Sequence, residues 1–439
     1  MSNTMGNMAK IFRLIKRLIP KKLFAALSPI YHYKLALLGA LIYGFPSKKI
    51  KVIGVTGTKG KSSVVEILSA ILEEAGYKVA SAGTVRFKIG KEVRRNLFKM
   101  TMPGRFFVQK FLREAVSKKC DYALIEMTSE GAKQYRHKFV HLDALIFTNI
   151  SPEHIESHGS FENYLEAKLS LARALSISPK KEKLMIGNAD DKAAVKFFEA
   201  ARPAKILPYH LKDAGFYKLL DNGVEFTFQG QKIFSYLRGT FNIYNILAAA
   251  TYARTQNVSL EQIAASLVKL TEIPGRVQSV RLGADFDVIV DYAHTPDSLR
   301  ALYEAFGEKR TICVLGNTGG GRDAWKRPEM GKIADQYCNE VILTNEDPYD
   351  EDPRKIVDEM AASIRKEKLT IEMDRRKAIR LAIKKASENL GKPEQQNNCI
   401  VLLTGKGTDP YIMLAHGEKM QWDDKTVVEE ELAKIKISN

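Results

Sequence analysis

The residues from Lys51 to Ser63 read Lys-Val-Ile-Gly-Val-Thr-Gly-Thr-Lys-Gly-Lys-Ser-Ser, and this stretch decides the fold. Its first six residues form a short apolar run typical of a buried β-strand. A glycine-rich turn follows, and apolar residues then recur at helical spacing from Val64 to Glu74. A strand, a loop and a helix in this order form the repeating unit of an α/β protein with a mostly parallel sheet.

The turn between this strand and this helix has the composition of a phosphate-binding loop. Glycines let backbone N–H groups surround phosphate oxygens, and the N-terminus of a helix adds positive potential. The Lys61 side chain can reach the outer phosphates of a nucleotide, and the Ser62 hydroxyl can bind magnesium. Val55 stands where the strict P-loop pattern has its first glycine. The loop predicts nucleotide binding by Gly57, Thr58, Lys59, Gly60, Lys61, Ser62 and Ser63.

A second α/β pattern begins after Pro274-Gly-Arg276, and we place a domain boundary there. We expect a basic segment at residues 1–49, a central domain with a P-loop-type parallel sheet at 50–277, and a Rossmann-like α/β domain at 278–439. Besides Lys51–Thr56, the predicted strands are Tyr122–Ile125, Ala144–Phe147, Phe286–Val290, Thr311–Leu315, Glu340–Leu343 and Ile400–Leu403, and predicted helices include Asp297–Phe306 and Arg375–Lys385.

Polar side chains follow the two strands that come after the phosphate loop. Glu126 directly follows the Tyr122–Ile125 strand, and His154 lies on the loop after the next one. Because the carboxyl ends of parallel strands share one edge of the sheet, both should approach the phosphate loop. Glu126 suits a hard oxygen ligand for magnesium. The alternatives are a solvated carboxylate at a strand end and a solvated histidine on a loop.

The 439 residues carry a formal net charge of +17, which is unevenly distributed. Residues 1–50 hold nine basic residues and no acidic one, so over half of the excess lies in about a ninth of the chain. A uniformly basic protein would suggest a nucleic-acid partner. A basic end on a near-balanced body indicates a local attachment segment instead, and no nucleic-acid partner is expected.

This basic segment has an amphipathic pattern. Apolar residues from Ile11 to Ile19 fall on one helical face, with basic residues opposite and Pro20 at the end. The apolar stretch from Leu23 to Ser47 is broken by Pro29 and Lys34 and has 13 charge-free residues at most, whereas a bilayer span needs roughly 20. Two interpretations stay open: residues 10–45 contact an anionic membrane surface, or the helix packs on the domain that follows.

The four cysteines are widely separated and form no Cys-x-x-Cys pair. This spacing argues against a disulfide framework and a structural zinc site, and it fits a reducing compartment. No secretory signal is visible at the N-terminus. We expect a cytoplasmic protein, with the inner face of the membrane as the alternative site.

Taken together, these residues stand in an order that resembles the Mur ligases, and within them the MurE type, which adds the third amino acid to UDP-N-acetylmuramoyl-L-alanyl-D-glutamate. The resemblance runs from about Lys51 to the C-terminus, and each motif alone is weak. The Asp291 run favours this branch over folate polyglutamate ligases. The motifs are Gly54-Val-Thr-Gly-Thr-Lys-Gly-Lys-Ser-Ser63, Thr101-Met-Pro103, Glu126-Met-Thr-Ser129, Thr148-Asn149, His154, His158-Gly159, Glu166-Ala-Lys168, Asn188-Ala-Asp-Asp191, Phe241-Asn-Ile-Tyr-Asn245, Pro274-Gly-Arg276, Asp291-Tyr-Ala-His-Thr-Pro-Asp297, Gly319-Gly-Gly-Arg-Asp323, Lys326-Arg-Pro328 and Gly405-Lys-Gly407.

The resemblance implies ATP-dependent amide-bond formation through an acyl phosphate, in peptidoglycan biosynthesis. It assigns the ATP phosphates to Lys61 and the loop amides, and one magnesium ion to Ser62 and Glu126. A second magnesium ion would be served by His154 and a carbamylated Lys168, because an unmodified ammonium would repel the metal. Without the resemblance, Lys168 is a plain surface lysine in the helical run Tyr164–Leu175.

The resemblance also assigns residues to the nucleotide, to the muramoyl-peptide acceptor and to the free amino acid. A hinged C-terminal domain would close over ATP and exclude water from the acyl phosphate. Two asparagines of the nucleotide group, Asn242 and Asn245, could instead cap a helix. The nucleotide residues are Asn242, Asn245, Arg276, Asp291, His294, Arg322 and Asp323, and the substrate residues are Thr101, Thr128, Ser129, Arg136, Asp347, Tyr349, Arg375, Gly405 and Asp409.

Two motifs depart from the family pattern at the amino-acid site. Enzymes that add meso-diaminopimelate usually read Asp-Asn-Pro-Arg where this chain reads Glu346-Asp-Pro-Tyr349. Tyrosine cannot form the bidentate pair that arginine offers a carboxylate, and Glu346 and Asp347 would favour a cationic side chain. Lysine or another diamine is therefore expected over diaminopimelate. The usual Gly-Lys-Gly-His-Glu reads Gly405-Lys-Gly-Thr-Asp409, which shortens the carboxylate expected to hold the amino acid.

The acceptor is the larger open question. Family members carry about a hundred residues of UDP-binding domain before the phosphate loop, where this chain has the basic segment. A lipid-linked or UDP-free acceptor therefore competes with the UDP-linked one. The motifs also leave open a pseudomurein or polyamino-acid ligase and a non-catalytic nucleotide switch. The oligomeric state is not predicted.

Overall fold

A computed structural model describes residues 21–282, 284, 286–388 and 399–438. The predicted amphipathic helix of residues 11–19 lies outside these ranges. Residues 391–398, whose polar composition is typical of a solvated loop, also lie outside them. Within them, no helix has the length and apolar character needed to cross a membrane.

The first α/β unit is built on an eight-stranded sheet. The strand order across the sheet is β4-β3-β2-β5-β1-β6-β7-β8, in which β3 pairs antiparallel with β2 and β4 and the other pairs are parallel. The chain therefore builds the sheet outwards from β1 in both directions. In open α/β sheets, ligands bind at the point where the strand order reverses in this way. The strands are β1 (Lys51–Thr56), β2 (Val79–Ala82), β3 (Arg86–Ile89), β4 (Glu92–Arg95), β5 (Tyr122–Glu126), β6 (Ala144–Phe147), β7 (Leu184–Asn188) and β8 (Lys205–Tyr209).

Helices cover both faces of this sheet. Every residue of β1 after Lys51 is buried, as expected for a parallel strand covered on both faces, and separate apolar clusters lie on the two sides. A three-stranded antiparallel sheet packs on one side with order β11-β10-β9. The helices are α1 (Lys21–Tyr43), α2 (Lys61–Glu74), α3 (Arg105–Ser117), α4 (Ser129–Lys133), α5 (Ile155–His158), α6 (Phe161–Ser176), α7 (Ala194–Ala201), α8 (Thr240–Thr255) and α9 (Leu260–Lys269), and the small sheet holds β9 (Tyr217–Leu220), β10 (Gly223–Phe228) and β11 (Gln231–Ser235).

The apolar stretch that contains Pro29 and Lys34 forms one continuous helix, α1. The small residues Ala36 and Ala40 are buried, and Gly39 lies close to the start of α3. Small side chains on this face let the two helices approach closely. The described part of the segment, α1, therefore packs on the first unit.

The second α/β unit is built on a six-stranded sheet of order β12-β13-β17-β14-β15-β16. The edge strand β12 is antiparallel and the other pairs are parallel, with an apolar cluster on each face. Its elements are β12 (Gln278–Val280), β13 (Asp287–Val290), α10 (Pro296–Glu304), β14 (Arg310–Leu315), α11 (Lys326–Tyr337), β15 (Glu340–Leu343), α12 (Pro353–Ala361), β16 (Leu369–Ile371), α13 (Arg375–Glu388), β17 (Cys399–Leu403), a hairpin of β18 (Tyr411–Met413) and β19 (Lys419–Gln421), and α14 (Asp424–Ser438).

The predicted fold class, two α/β units with mostly parallel sheets, is confirmed. All seven strands predicted from the sequence occur, each with ends within one residue of those predicted. The small sheet of β9 to β11 was not predicted, because its strands lack a clear pattern of buried residues: every residue of β9 is exposed.

The cysteine spacing was a poor guide to pairing. The structure joins Cys313 on β14 to Cys338 at the end of α11 by a disulfide, and both residues are buried. The other two cysteines, Cys120 and Cys399, are free and buried. The bonded pair is 25 residues apart in sequence and is brought together by the packing of α11 on the sheet, which spacing alone cannot reveal.

Candidate active site

The predicted phosphate loop is the turn between β1 and α2. Gly57 and Gly60 have positive φ angles of 145° and 81°, and a Cβ atom at Gly60 would overlap Asn245 Oδ1. The first N–H groups of a helix have no acceptor within the helix, so the start of α2 offers donors and positive potential to an anion. Lys61 Nζ donates to the carbonyl oxygens of Gly57 at 3.0 Å and Thr58 at 2.9 Å. The turn therefore has the geometry of a phosphate site.

The loop after β6 holds the phosphate loop in place. Asn149 accepts from Thr58 N through its backbone oxygen at 2.8 Å and from Lys59 N through Oδ1 at 2.9 Å. The Thr148 hydroxyl donates to Lys59 O at 2.6 Å. The Thr-Asn pair therefore fixes the backbone that would surround the phosphates.

Glu126 ends β5 next to the loop, as predicted, and is 2% exposed. Ser62 Oγ lies 3.2 Å and 3.1 Å from its two carboxylate oxygens. Thr84 donates to the same carboxylate through its N–H at 2.7 Å and its hydroxyl at 3.0 Å. Ser62 and Glu126 thus offer adjacent hard oxygen donors, which fit magnesium when phosphates and water complete the shell. Across the described residues no cluster of three or more His, Cys, Asp or Glu side chains could hold a metal by itself.

Lys168 lies inside the site and not on the surface. It is 2% exposed, and Nζ donates to Gly57 O at 2.6 Å. Burial, together with the nearby Lys61 ammonium, lowers the pKa of Lys168 well below its usual value. The Tyr164 ring, 4.9 Å from Lys168 Nζ, also lies near the exposed His154, with ring centroids 6.3 Å apart. The structure therefore brings His154 and Lys168 to the same side of the loop.

The two asparagines on α8 lie behind the phosphate loop. Asn245 Nδ2 donates to Asn242 Oδ1 at 3.0 Å, and Asn242 Nδ2 donates to Arg238 O at 2.8 Å. Both side chains are buried. Neither is the N-cap residue of α8, which is Gly239, so simple helix capping does not account for them.

Arg276 and Asp291 lie where the chain passes between the two units. Arg276 Nη2 is 3.3 Å from Ser62 Oγ, and its guanidinium lies 4.6 Å from the centre of the Tyr292 ring. Asp291 accepts from two backbone N–H groups, one of them Val277 N at 2.7 Å. These bonds fix the backbone of the segment that joins the two units, and the contact of Asp291 with the nucleotide stays a prediction. Arg276 does reach the phosphate loop.

Glu153 was missed by the sequence reasoning and connects the two units. Its carboxylate accepts from Lys59 Nζ at 3.2 Å and lies 3.0 Å from His294 Nε2. Burial would raise the pKa of Glu153, but Lys59 and His294 hold it well below its usual range. Glu153 stands directly before His154, and this position beside a predicted ligand is the signal that could have identified it. His294 is thus placed at the phosphate loop through Glu153.

The neighbouring residues Arg322 and Asp323 contact different parts of the site. Asp323 accepts from the backbone N–H groups of His154 at 3.0 Å and Ile155 at 3.2 Å, so it fixes the loop that carries His154. The exposed Arg322 lies over the Tyr349 ring, 5.0 Å from its centre. Arg322 thus lies beside the predicted amino-acid residue Tyr349, and its contact with the nucleotide stays a prediction.

The predicted acceptor residues line the other side of Glu126. The Thr101 hydroxyl lies 2.8 Å from that of Thr84, which contacts Glu126. Arg136 is half-buried and donates to Met102 O, next to Thr101. The two remaining residues of this group stand at the start of α4, where Thr128 caps the helix and Ser129 is buried.

The predicted amino-acid residues Asp347 and Asp409 meet two lysines. Lys406 Nζ lies 2.9 Å from Asp347 Oδ1 and 3.0 Å from Asp409 Oδ2. Lys99, from the first unit, lies 2.5 Å from Asp347 Oδ2 and 3.1 Å from Asp409 Oδ2. We call these four residues the Lys99 cluster. A cationic amino acid would need an unpaired Asp347, but Asp347 is already paired with Lys99 and Lys406.

Two further residues at this site have buried partners within the chain. The Arg375 guanidinium forms a buried bidentate pair with Asp424 at 2.9 Å and 2.8 Å. Glu346 is buried, bonded to the Thr318 hydroxyl at 2.9 Å and packed against Gly405, whose φ is 101°. Burial raises the pKa of Glu346. The contacts of both residues with a substrate stay predictions.

Comparisons with known proteins find two matching family models and curated relatives. The family model described as Mur ligase middle domain matches residues 55–253, and the model described as Mur ligase, glutamate ligase domain matches residues 275–407. The UDP-N-acetylmuramoyl-L-alanyl-D-glutamate–2,6-diaminopimelate ligase of Syntrophomonas wolfei is 36% identical over 412 residues, which cover 90% of this chain and 81% of the relative. The ligase of the same name from Geobacillus kaustophilus is 33% identical, with the same coverage of both chains.

A solved structure gives the same result. The structure of a UDP-N-acetylmuramoyl-L-alanyl-D-glutamate–2,6-diaminopimelate ligase superposes with a TM-score of 0.58 and 28% sequence identity. The match covers 88% of this chain and 79% of that one. Both α/β units therefore have counterparts in a protein of known structure.

Proposed function

The chain belongs to the Mur ligase family of ATP-dependent, ADP-forming amide ligases, and we propose from this premise that it joins 2,6-diaminopimelate to a muramoyl-L-alanyl-D-glutamate acceptor. The observation that carries the proposal is the meeting of Lys61, Ser62, Glu126 and Lys168 at the carboxyl ends of β1 and β5. Relatives with diaminopimelate in their names support this amino acid. The pairing of Asp347 with Lys99 and Lys406 supports it as well, because these lysines neutralise the negative charge that would favour a cationic amino acid.

In the proposed reaction the acceptor carboxylate attacks the γ-phosphorus of ATP and ADP leaves, which gives an acyl phosphate. The amine of the amino acid then attacks the acyl carbon, and inorganic phosphate leaves. Lys61 and the N–H groups at the start of α2 would hold the phosphates and neutralise the charge on the transferred phosphoryl group. Thr101 and Arg136 would hold the acceptor peptide near Glu126.

Magnesium would be held by Ser62 and Glu126, and His154 with Lys168 would serve a second ion. Bound magnesium supplies positive charge that stabilises phosphoryl transfer. Burial lowers the pKa of Lys168 and so favours its neutral amine, which is the form that reacts with CO2 to give a carbamate. Carbamylation would turn Lys168 from a cation into an oxygen ligand.

The test is a ligation assay with purified chain, ATP, magnesium and a panel of amino acids. Each is combined with the UDP-linked or the lipid-linked muramoyl dipeptide, and the product mass is measured. We expect ligation of diaminopimelate to the UDP-linked dipeptide without membranes. Turnover of the lipid-linked acceptor alone would overturn the UDP assignment, and phosphate release that needs no amino acid would support a nucleotide switch instead.

A matched pair of variants ties this activity to the site. Glu126→Gln removes a buried carboxylate and should lower kcat about 100-fold or more. Glu225→Gln changes an exposed glutamate on β10 and should leave the rate unchanged. Equal rates in the two variants would contradict the assigned site.

For location, we propose that the chain works on the cytoplasmic side of the membrane and that α1 contacts its anionic lipid surface. The supporting observation is an apolar stripe on α1 that faces away from Ala36 and Ala40. Residues 1–50 contain no acidic residue, so their charge complements anionic lipid. The stripe consists of Leu27, Ile30, Tyr31, Leu38, Leu41 and Ile42, with exposed fractions from 47% to 60%.

Sedimentation of the full chain with vesicles tests this contact. We expect co-sedimentation with phosphatidylglycerol vesicles and little with phosphatidylcholine vesicles, and a loss on Leu41→Glu. Ile177→Glu, at an apolar residue that is 75% exposed on the end of α6, is the control. Binding that is equal for both lipids, or unchanged by Leu41→Glu, would overturn the proposed contact.

A further inference from the structure

The Lys99 cluster brings the two units together at the predicted amino-acid site. Lys99 lies on the segment that leads from β4 to Thr101, and Asp347, Lys406 and Asp409 belong to the second unit. The side chains are 17% exposed for Lys99 and at most 7% exposed for the other three. The cluster is thus shielded from water, and its charges interact strongly.

The four charges in the cluster balance. Each carboxylate contacts both ammonium groups, at distances between 2.5 Å and 3.1 Å. Burial raises the pKa of Asp347, but Lys406 and Lys99 hold it below its usual value. Both carboxylates are therefore already paired with cations before any ligand enters, and Lys99 is the pairing cation that comes from the first unit.

The surroundings of the cluster add further positive charge. Tyr349, which replaces the arginine usual in diaminopimelate-adding enzymes, lies between two cations. Its ring centre is 5.8 Å from Lys99 Nζ and 5.0 Å from the Arg322 guanidinium carbon. An entering amino acid with a carboxylate at its far end would meet these cations, whereas a lone ammonium would be repelled.

A small cavity adjoins this cluster. It holds about 60 Å³ and is lined by residues of both units, including Thr84, Lys99, Thr101, Tyr292 and Asp409. Thr84, which lines the cavity, also contacts Glu126, so the cavity lies between the cluster and the predicted magnesium site. The far end of a bound amino acid that reached this cavity would meet Lys99.

We propose that Lys99 determines amino-acid specificity by neutralising the carboxylates of Asp347 and Asp409. With Lys99 present, the site rejects the side-chain ammonium of lysine and accepts the carboxylate-bearing end of diaminopimelate. The inference rests on the proposed function and adds to it the residue that replaces the usual arginine as a source of positive charge. Without Lys99, two carboxylates would face Lys406 alone, and the net negative charge would favour a cationic side chain.

The test compares Lys99→Met with the unaltered chain and with Lys99→Arg. The quantity measured is the ratio of kcat/KM for diaminopimelate to kcat/KM for L-lysine, with one acceptor throughout. We expect Lys99→Met to shift this ratio towards lysine about tenfold or more, and Lys99→Arg to keep it near the unaltered value because the charge remains. Lys91→Met, at an exposed lysine in the turn between β3 and β4, is the matched control.

The outcomes separate this inference from the proposed function. If Lys99→Met lowers both kcat/KM values equally, Lys99 only ties the two units together and the specificity role is overturned. An unchanged ratio in Lys99→Met overturns it too. If the unaltered chain ligates neither amino acid to any muramoyl dipeptide, the proposed function itself fails, and this inference fails with it.

Discussion

At the residue scale, Lys168 gives the sharpest test of the chemistry. Its amine is buried beside Lys61 and donates to Gly57 O, a poor place for a cation if a metal ion binds there. Lys168→Ala should therefore lower kcat about 100-fold or more, and small carboxylates such as formate should restore part of the rate by replacing the carbamate oxygens. The measurement is phosphate release with and without sodium formate.

Two controls show whether the loss of rate is specific to Lys168 and its recovery specific to carboxylates. Sodium chloride at the same ionic strength should restore nothing, and Lys196→Ala, at an exposed lysine of α7, should keep the full rate. A Lys168→Ala variant that is inactive in formate but still folded would argue against the carbamate. A variant with full activity would remove Lys168 from the site.

At the scale of elements, the turn between β1 and α2 depends on glycine backbone geometry. Gly60 has φ of 81°, and a Cβ there would overlap Asn245 Oδ1. Gly60→Ala should therefore raise KM for ATP about tenfold or more, because the loop must shift away from its phosphate-binding shape. The matched control is Gly76→Ala after the same helix, where φ is 89° but no atom lies within 4 Å of the added Cβ. Equal effects in the two variants would show that backbone strain, and not the shape of the loop, was responsible.

The packing of α13 against α14 gives a stability prediction. Glu431 is 1% exposed and accepts from Arg380 at 2.7 Å, Arg376 at 3.2 Å and Lys434 at 2.7 Å. The hydrogen bond from Arg380, followed by the other cations, lowers the pKa of Glu431 to about 2. Because the cations are partly exposed and solvent screens them, Glu431→Gln should lower the free energy of unfolding by about 1–2 kcal/mol at pH 7.

The pH dependence of this effect follows from the sign of the pKa shift. A carboxyl group with a lower pKa in the folded state stabilises the fold above its unfolded pKa, near 4.5, and loses that contribution as the pH falls towards 2. The difference between Glu431→Gln and the unaltered chain should therefore shrink below pH 4.5. Urea unfolding followed by tryptophan fluorescence measures it, since both tryptophans, Trp325 and Trp422, lie in the second unit. Glu429→Gln, at a neighbouring glutamate whose side chain is 39% exposed, should change little, and a constant difference at every pH would contradict the role of the charge.

Elements were easier to predict from the sequence than their contacts. Strands that are buried on both faces, such as β1, have unbroken apolar runs, so their positions were visible. Glu126 was placed at the site because a residue at the end of a parallel strand lies at a known edge of the sheet. Glu153 and Lys99 were missed because their partners, His294 and Asp347, come from the other unit, and no local pattern encodes such a pairing.

At the scale of the whole molecule, the two units meet around the phosphate loop. Arg276 reaches Ser62, Asp323 fixes the loop of His154, and Glu153 bridges Lys59 and His294. These contacts join the second unit, and the segment that leads into it, to the phosphate loop and to the loop that carries His154. Contacts of this kind would keep water from the acyl phosphate when both substrates are bound.

Glu153 is the residue through which this exclusion of water can be measured. Glu153→Gln keeps the size of the side chain but removes the charge that holds Lys59 and His294, so the units should separate more readily. Water would then hydrolyse part of the acyl phosphate, and the ratio of phosphate released to peptide formed should rise above one. The ratio comes from a phosphate assay and product mass on the same samples, with Glu182→Gln, at an exposed glutamate, as the control. Glu153→Asp, which keeps the charge, should stay closer to a ratio of one than Glu153→Gln. A ratio of one in Glu153→Gln at a normal rate would mean that the other contacts close the site without Glu153.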